Sequence, residues 1–504
     1  MTTPTLWRFP GGLRLEGHKT ESTRLPPLEA ELPQTLVYPL QTRHGISLQL
    51  LVEIGERVLR GQPLTSSDDP WNPPIHAATS GVVRAIEPHP LPYPSAPSGP
   101  CLFLDSDGVD ESVEFEALSD YRACSREELR LCIHRSGIVG LGGAGFPTSI
   151  KTGPVHRIDT LILNGAECEP YISCDDTLLR HYAHEVLEGA RVLHHLLGAE
   201  HCLLAIEDDM PEAWEALQHA AREIRDVRIA MVPAIYPTGG EKQLIRVLTG
   251  REVPRGGLPA DIGVICQNVA TAHAVHAAVV LGRPLLSRLV TVAGRGTRQP
   301  RNLLARIGTP IAELIRQCGG YSGEEERLIQ GGPLMGHTLT TDAVPLLKTS
   351  NCILVAGRGE LGVPRATRPC IRCGYCADVC PARLLPQQLH WFGRAGQWPK
   401  VAEYRVTDCI ECACCDLVCP SHIPLTRQFR DFKDKLAELE AERQAAEHAR
   451  MRYEARRERK LQEQRELAEQ SRRRKESLGK VATPEIRRAV ERAKAKRSRN
   501  PDEI

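Results

Sequence analysis

Cys370-Ile371-Arg372-Cys373-Gly374-Tyr375-Cys376-Ala377-Asp378-Val379-Cys380-Pro381 returns later in the chain as Cys409-Ile410-Glu411-Cys412-Ala413-Cys414-Cys415-Asp416-Leu417-Val418-Cys419-Pro420. Both stretches have the spacing C-x₂-C-x₂-C-x₃-C-P. Zinc sites use cysteine pairs separated by longer gaps. Four thiolates in one eleven-residue run, present twice, suit an iron–sulfur cubane instead.

The spacing has a physical reason. Three thiolates at C-x₂-C-x₂-C can curl around one cubane, while the fourth, followed by proline, points away and ligates the other. Cluster one is thus expected on Cys370, Cys373, Cys376 and Cys419. Cluster two is expected on Cys380, Cys409, Cys412 and Cys415. Cys414 falls outside the register and reads as a small filler. The interval from Pro381 to Asp408 includes the helix-compatible stretches Leu385–Phe392 and Trp398–Tyr404, so the module at 360–430 is expected to be an α-helical double-cluster ferredoxin domain.

The rest of the composition fits that chemistry. The chain has 504 residues, 41% hydrophobic, 25% charged and 4% aromatic, which describes several globular domains with aliphatic cores. A net charge of +1 offers no field that would select nucleic acid. No apolar stretch of about 18 residues occurs, and the start of the chain lacks signal-peptide features, so a cytoplasmic location is expected. Eighteen cysteines there would stay reduced and read first as metal ligands.

Upstream, Gly137-Ile-Val-Gly140-Leu-Gly142-Gly143-Ala-Gly145-Phe146-Pro147-Thr148-Ser-Ile-Lys151 is rich in glycine. Such a backbone can approach a flat or phosphorylated ligand closely, and Lys151 could add charge for a phosphate. No Gly-Lys-Ser/Thr follows, so it is not a Walker A loop, and its spacing does not fit a dinucleotide fingerprint. A structural turn is the plainer reading. The loop lies in a region, 120–285, where strand-like runs (Thr160–Leu163, Cys202–Ile206) alternate with helix-like ones (Thr177–Leu197, Met210–Ile224), which predicts an α/β domain with a parallel sheet.

Other parts are read more coarsely. Residues 1–35 are proline-rich and expected to be irregular. Residues 36–115 hold short β-type runs, among them Leu50–Gln62 and His76–Val83. Residues 288–345 return to short strands around one helix, Pro310–Cys318. From Phe432 to Ser477 the chain is charged or Ala/Leu-rich without Gly or Pro, and 431–504 reads as a charged helical tail that frays near Lys494–Pro501.

Several of these segments resemble known families. The glycine-rich segment resembles the FMN-binding loop of the NADH-oxidising flavoprotein of respiratory complex I. The likeness continues at Asn164-Gly-Ala-Glu167-Cys-Glu169-Pro170, at Gly239-Gly240-Glu241 and at Asn268-Val-Ala-Thr271. It implies a Rossmann-like FMN domain in which Gly140, Gly142, Gly143, Gly145, Lys151, Asn164, Glu167, Glu241, Asn268 and Thr271 surround the flavin. Glu167 and Glu169 become candidate contacts for NADH or flavin. Where that family has an aspartate, this chain has Ala166.

Residues 50–87 resemble the sandwiched hairpins of biotinyl and lipoyl carriers. No lysine lies between Lys19 and Lys151, which excludes the carrier chemistry and leaves a docking role. The unit at 288–345 is similar to a soluble-ligand-binding β-grasp domain. In this order the parts resemble the RnfC family, the C component of the Rnf ion-translocating electron-transport complex. The resemblance implies a peripheral oxidoreductase subunit on the cytoplasmic side of a bacterial inner membrane, partnered by membrane and iron–sulfur subunits. Electrons would pass from NADH through FMN to two [4Fe–4S] clusters. A cobalamin reductase of a bacterial microcompartment has a similar domain order, and an electron-relay scaffold without flavin is the third reading.

Overall fold

The computed structural model describes all residues except 1–5, 44, 94–96, 154–155, 225, 364, 482 and 498–504. The end of the expected fraying segment therefore lies outside the described residues. The chain divides into two units, Met1–Arg430 and Asp431–Ile504.

Three sheets organise the first unit. In the first, antiparallel strands run in the order Thr35–Pro39, Ser98–Ser106, Gly81–Pro90 and Arg57–Val58. Side chains along Gly81–Arg84 alternate between buried and exposed, the pattern of a sheet with one wet face. The β-type run Leu50–Gln62 contributes only Arg57–Val58 plus single bridges such as Leu50 to Thr65.

The second sheet is parallel, in the order Arg228–Val232, His201–Glu207, Thr160–Gly165, Val264–Asn268. Its strands are nearly all apolar and covered on both faces. Leu161 and Leu163 point into the core formed with the helices Cys174–His181, Ala183–Leu197 and Val269–Val280. Ile162, one residue out of phase, packs on the opposite side with the helix Glu241–Thr249. Period-two alternation explains both contacts. The helix expected over Thr177–Leu197 is two helices, broken at Tyr182 where φ is −131°. A Cβ at Gly189 would meet the Ala272 carbonyl oxygen at 1.8 Å, so this glycine permits the close crossing of two helices.

The third sheet has six strands in the order Leu28–Glu29, Arg301–Arg306, Ser287–Ala293, Cys352–Gly357, Glu325–Gln330, His337–Thr338, with the helix Ile311–Gln317 over its core. Two features correct the sequence reading. The strand Cys352–Gly357, beyond the expected limit at 345, lies inside this sheet and is fully buried. The N-terminal segment is not wholly irregular: Leu28–Glu29 pairs in parallel with Leu303–Leu304, and Leu13 exchanges hydrogen bonds with Tyr236.

The cysteine runs form a helical module with an internal repeat of thirty-nine residues. The short helices Tyr375–Asp378 and Cys414–Leu417 keep that interval, as do the starts of the helices at Pro386 and Leu425. So do the left-handed residues: Arg372 and Glu411 (φ 57° and 59°), Gly374 and Ala413 (89° and 59°), Arg383 and His422 (52° and 49°). The helix Leu425–Val481 continues into the second unit, where its described side chains are mostly exposed and joined by pairs such as Arg473–Glu469 at 2.7 Å. A second helix there is Pro484–Arg497.

Candidate functional site

In the parallel sheet the chain steps outward from Thr160–Gly165 through two strands, then returns to place Val264–Asn268 on the other side of the first. Strand order reverses between these two. Crevices of this kind, at the carboxyl ends of parallel strands, receive ligands. Asn164 lies at the end of one strand and Asn268 ends the other, and the glycine-rich loop lies over the gap. A Cβ at Gly142 would come within 3.2 Å of the Asn268 Cβ, so this glycine lets the loop settle against the crevice. Gly143 has φ 102° and open space where a Cβ would stand.

The surrounding side chains are tied in place. Leu141 N–H donates to Thr271 Oγ1 at 2.9 Å. Asn268 caps its helix by accepting from Ala270 N–H at 2.8 Å, and its amide donates to Asp175 at 2.5 Å. Asn164 donates to the Gly239 carbonyl at 2.8 Å. Lys151 pairs with Glu241 at 2.7 Å. Among the described residues, the N–H groups of Gly142, Gly143 and Ala144 have no protein partner. Three open amides on a glycine-rich turn are donors for an anionic group. These amides therefore suit the phosphate of a ligand such as FMN.

The two carboxylates expected to meet a nicotinamide or flavin are committed inside the protein. Glu167 is buried and accepts from Asp175 N–H (2.9 Å) and Asp176 N–H (3.2 Å) at the start of a helix. Burial, then the neighbouring Asp175, raises its pKa. Glu169 accepts from Leu334 and Met335 N–H at 2.7 and 3.0 Å, joining the flavin-type domain to the third sheet's domain. Burial raises Glu169 as well. Lys19 donates to the Glu167 carbonyl. Burial works against its charge, but Glu167 and Glu207 outweigh it and its pKa rises.

Lys348, absent from the sequence reading, donates to the carbonyls of Pro74 (2.7 Å) and Gly137 (2.8 Å). It anchors the start of the glycine-rich segment to the first sheet's domain. Thr349 supports the loop's other end, 2.8 Å from where a Gly145 Cβ would be. No motif marks Lys19 or Lys348, because their partners are more than a hundred residues away.

The cysteine module gathers one of the two expected ligand sets around a cavity. Cys370, Cys373, Cys376 and Cys419 line one cavity, together with Gln387 and His390. Cys380 and Cys415 lie near Cys412, as does Cys414, and Cys415 lies near Cys409. Each set takes three cysteines from one run and one from the other. N–H groups already point at sulfur, among them Leu384 to Cys380 at 3.3 Å and Glu411 to Cys409 at 3.4 Å. These donor sets and amides suit two thiolate-bound cubanes. Cys414 is fully buried, packed with Tyr236 and Cys412.

Comparison with known proteins agrees with this architecture. Residues 7–109 match the RnfC barrel sandwich hybrid domain, 133–277 the Nuo51 FMN-binding domain, 289–338 the SLBB domain, and 369–423 a 4Fe-4S dicluster domain. The chain is thus a multidomain α/β protein that carries an FMN-binding domain and a double [4Fe–4S] domain. It is homologous to the C component of the ion-translocating oxidoreductase complex of Erwinia tasmaniensis, with 46% identity over 455 residues. That alignment covers 90% of this chain and 56% of the relative, so the chain spans little more than half the relative's length. Among solved structures, an NAD+-reducing [NiFe]-hydrogenase in its H2-reduced state aligns at 20% identity and TM-score 0.40, covering 57% of this chain and 54% of that one. Its air-oxidised state aligns at 20% identity and TM-score 0.39, covering 56% and 54%.

Proposed function

We propose that this chain is the peripheral, electron-entry subunit of an ion-translocating oxidoreductase complex, passing electrons from NADH through FMN to two [4Fe–4S] clusters. The observation that carries this reading is one body holding both a nest of open amides at a switch-point crevice and a cavity lined by Cys370, Cys373, Cys376 and Cys419. The Erwinia relative's name points to such a complex. Its other membrane and iron–sulfur subunits are then the partners, on the cytoplasmic face of an inner membrane. Among the described residues no helix is long and apolar enough to cross a membrane.

The parts divide the work. Residues 36–115 form a docking domain of carrier-like fold, 120–285 the flavin domain, 288–345 with its added strand a β-grasp domain, 360–430 the cluster domain, and 431–504 a charged helical tail. Bound FMN supplies the chemistry of exchanging an electron pair on one side and single electrons on the other. The residues do the positioning. Gly142, Gly143 and Ala144 offer amides to the phosphate, with Lys151 and Glu241 at the mouth. Asn268, held by Asp175, and Asn164, held by Gly239, set the crevice floor. Glu167 and Glu169 act by holding those elements, since reaching a ligand would cost them their present hydrogen bonds. In the cluster domain the N–H groups directed at Cys380 and Cys409 offset thiolate charge and tune potential.

Cofactor analysis of anaerobically prepared protein tests this. The reading requires FMN together with iron and sulfide in equal amounts. Protein with iron and sulfide but no flavin would leave only an electron relay, and zinc in place of iron would remove the redox role.

A further inference from the structure

Among the described residues, the contacts that the flavin-type domain and the N-terminal segment make with the cysteine module fall on one side of that module. Tyr236 Oη donates to the Cys412 carbonyl at 2.8 Å. Arg255 pairs with Asp408, next to Cys409, at 3.5 Å. Gly12 N–H donates to the Val379 carbonyl at 3.0 Å, and a Cβ at Gly11 would meet the backbone of Val379 and Cys380 within 2.8 Å. All three contacts touch the neighbourhood of Cys380, Cys409, Cys412 and Cys415. Among the described residues, the cavity lined by Cys370, Cys373, Cys376 and Cys419 is walled by the module and the following helix, and Cys373 is exposed.

Tyr236 is also close in sequence to the flavin crevice. It lies three residues before Gly239, whose carbonyl holds Asn164 and whose N–H donates to Cys168 Sγ at 3.3 Å. Three residues of chain span at most about 11 Å. Tyr236 packs with Cys412, Cys414, Cys168, Leu334 and Val379 in a small core. Among the described residues, a packed bridge thus runs from the turn before Gly239 to the neighbourhood of Cys412.

We infer that the cluster on Cys380, Cys409, Cys412 and Cys415 is the flavin-side cluster, reached through Tyr236, and that the cluster on Cys370, Cys373, Cys376 and Cys419 is the terminal one, facing solvent and the next carrier. This rests on the proposed flavin site. A nicotinamide hydride supplies two electrons to the flavin. They would leave one at a time, each reducing the flavin-side cluster by one electron before passing to the terminal cluster, with the flavin's protons released to solvent.

The test uses full-length holoprotein prepared without oxygen. Cys373→Ala, at an exposed position, should remove the terminal cluster and identify the EPR signal of the one that remains. After mixing with NADH, that remaining cluster should bleach as fast as in the parent protein. Tyr236→Phe keeps the ring and removes the hydroxyl. It should shift the midpoint potential of that same cluster in an EPR-monitored titration and leave the terminal cluster's potential unchanged. If Cys373→Ala protein with reduced flavin keeps its remaining cluster oxidised, or if Tyr236→Phe shifts only the terminal cluster, the order is reversed and the inference fails. Parent protein that binds no flavin would instead overturn the reading beneath it.

Discussion

Gly332 lies directly against Glu169: a Cβ on Gly332 would stand 2.1 Å from Glu169 Cγ. The same glutamate holds the following turn by accepting from the N–H groups of Leu334 and Met335. Two domains are therefore joined through a carboxylate that only a glycine leaves room for. Gly332→Ala should lower unfolding free energy by about 1–3 kcal/mol through overpacking at this joint. Urea titration would measure it. A change near zero would mean the turn is free to move away.

The crosswise ligand sets make an asymmetric prediction. Cys380 sits in the first run, yet is assigned to the cluster of the second. Cys380→Ser should cost the cluster on Cys409, Cys412 and Cys415 and spare the one on Cys370, Cys373, Cys376 and Cys419, leaving roughly half the iron. Iron analysis with EPR would check it. Loss of the first run's own signal would contradict the pairing.

Glu207 ends the strand beside Lys19 and is 1% exposed, with neither carboxylate oxygen hydrogen-bonded. Burial pushes its pKa up to about 7 from the ordinary 4.5. The folded protein then binds this proton more tightly than the unfolded chain between those two values. Its contribution to stability is full below pH 4.5 and is lost as pH rises through 7. Glu207→Gln removes that dependence. Relative to the parent, the variant should gain melting temperature on going from acidic to mildly alkaline buffer. An unchanged difference between the two buffers would rule this out.

Lys348 holds the Gly137 carbonyl at the root of the glycine-rich segment. Lys348→Met keeps the apolar stem and removes the donor. Flavin affinity should fall about tenfold, near the worth of one hydrogen bond, while iron content stays unchanged. Equilibrium dialysis against FMN reads the first and iron analysis the second. Unaltered FMN affinity would mean the loop is held by other contacts.

How much of this is legible in the sequence varies with the range of the interactions involved. The expected cluster ligands show locally, as eight cysteines at fixed spacing in two runs, and the matching interval already announces the backbone repeat. The left-handed conformations at Arg372 and Glu411 are not visible, because neither residue type favours them. The parallel sheet can be read from apolar runs, but the break at Tyr182 cannot, since the helical pattern continues across it. Cys352–Gly357 is apolar throughout, so it lacks the alternation that would mark it as a strand of the third sheet. The N-terminal segment reads as irregular because its order comes from distant partners, Tyr236 for Leu13 and Leu303 for Leu28. The motif around Glu167 and Glu169 points to the crevice. Their inward bonds depend on Asp175 and Leu334, which the motif does not contain.

The most direct measurement of the central claim is a stepwise NADH titration of the anaerobic holoprotein, followed by visible absorbance and EPR. NADH should bleach the flavin and then produce the signals of two reduced, mutually interacting [4Fe–4S] clusters in the same chain. A flavin that NADH reduces while both clusters stay oxidised, or clusters whose signals show no interaction, would contradict it.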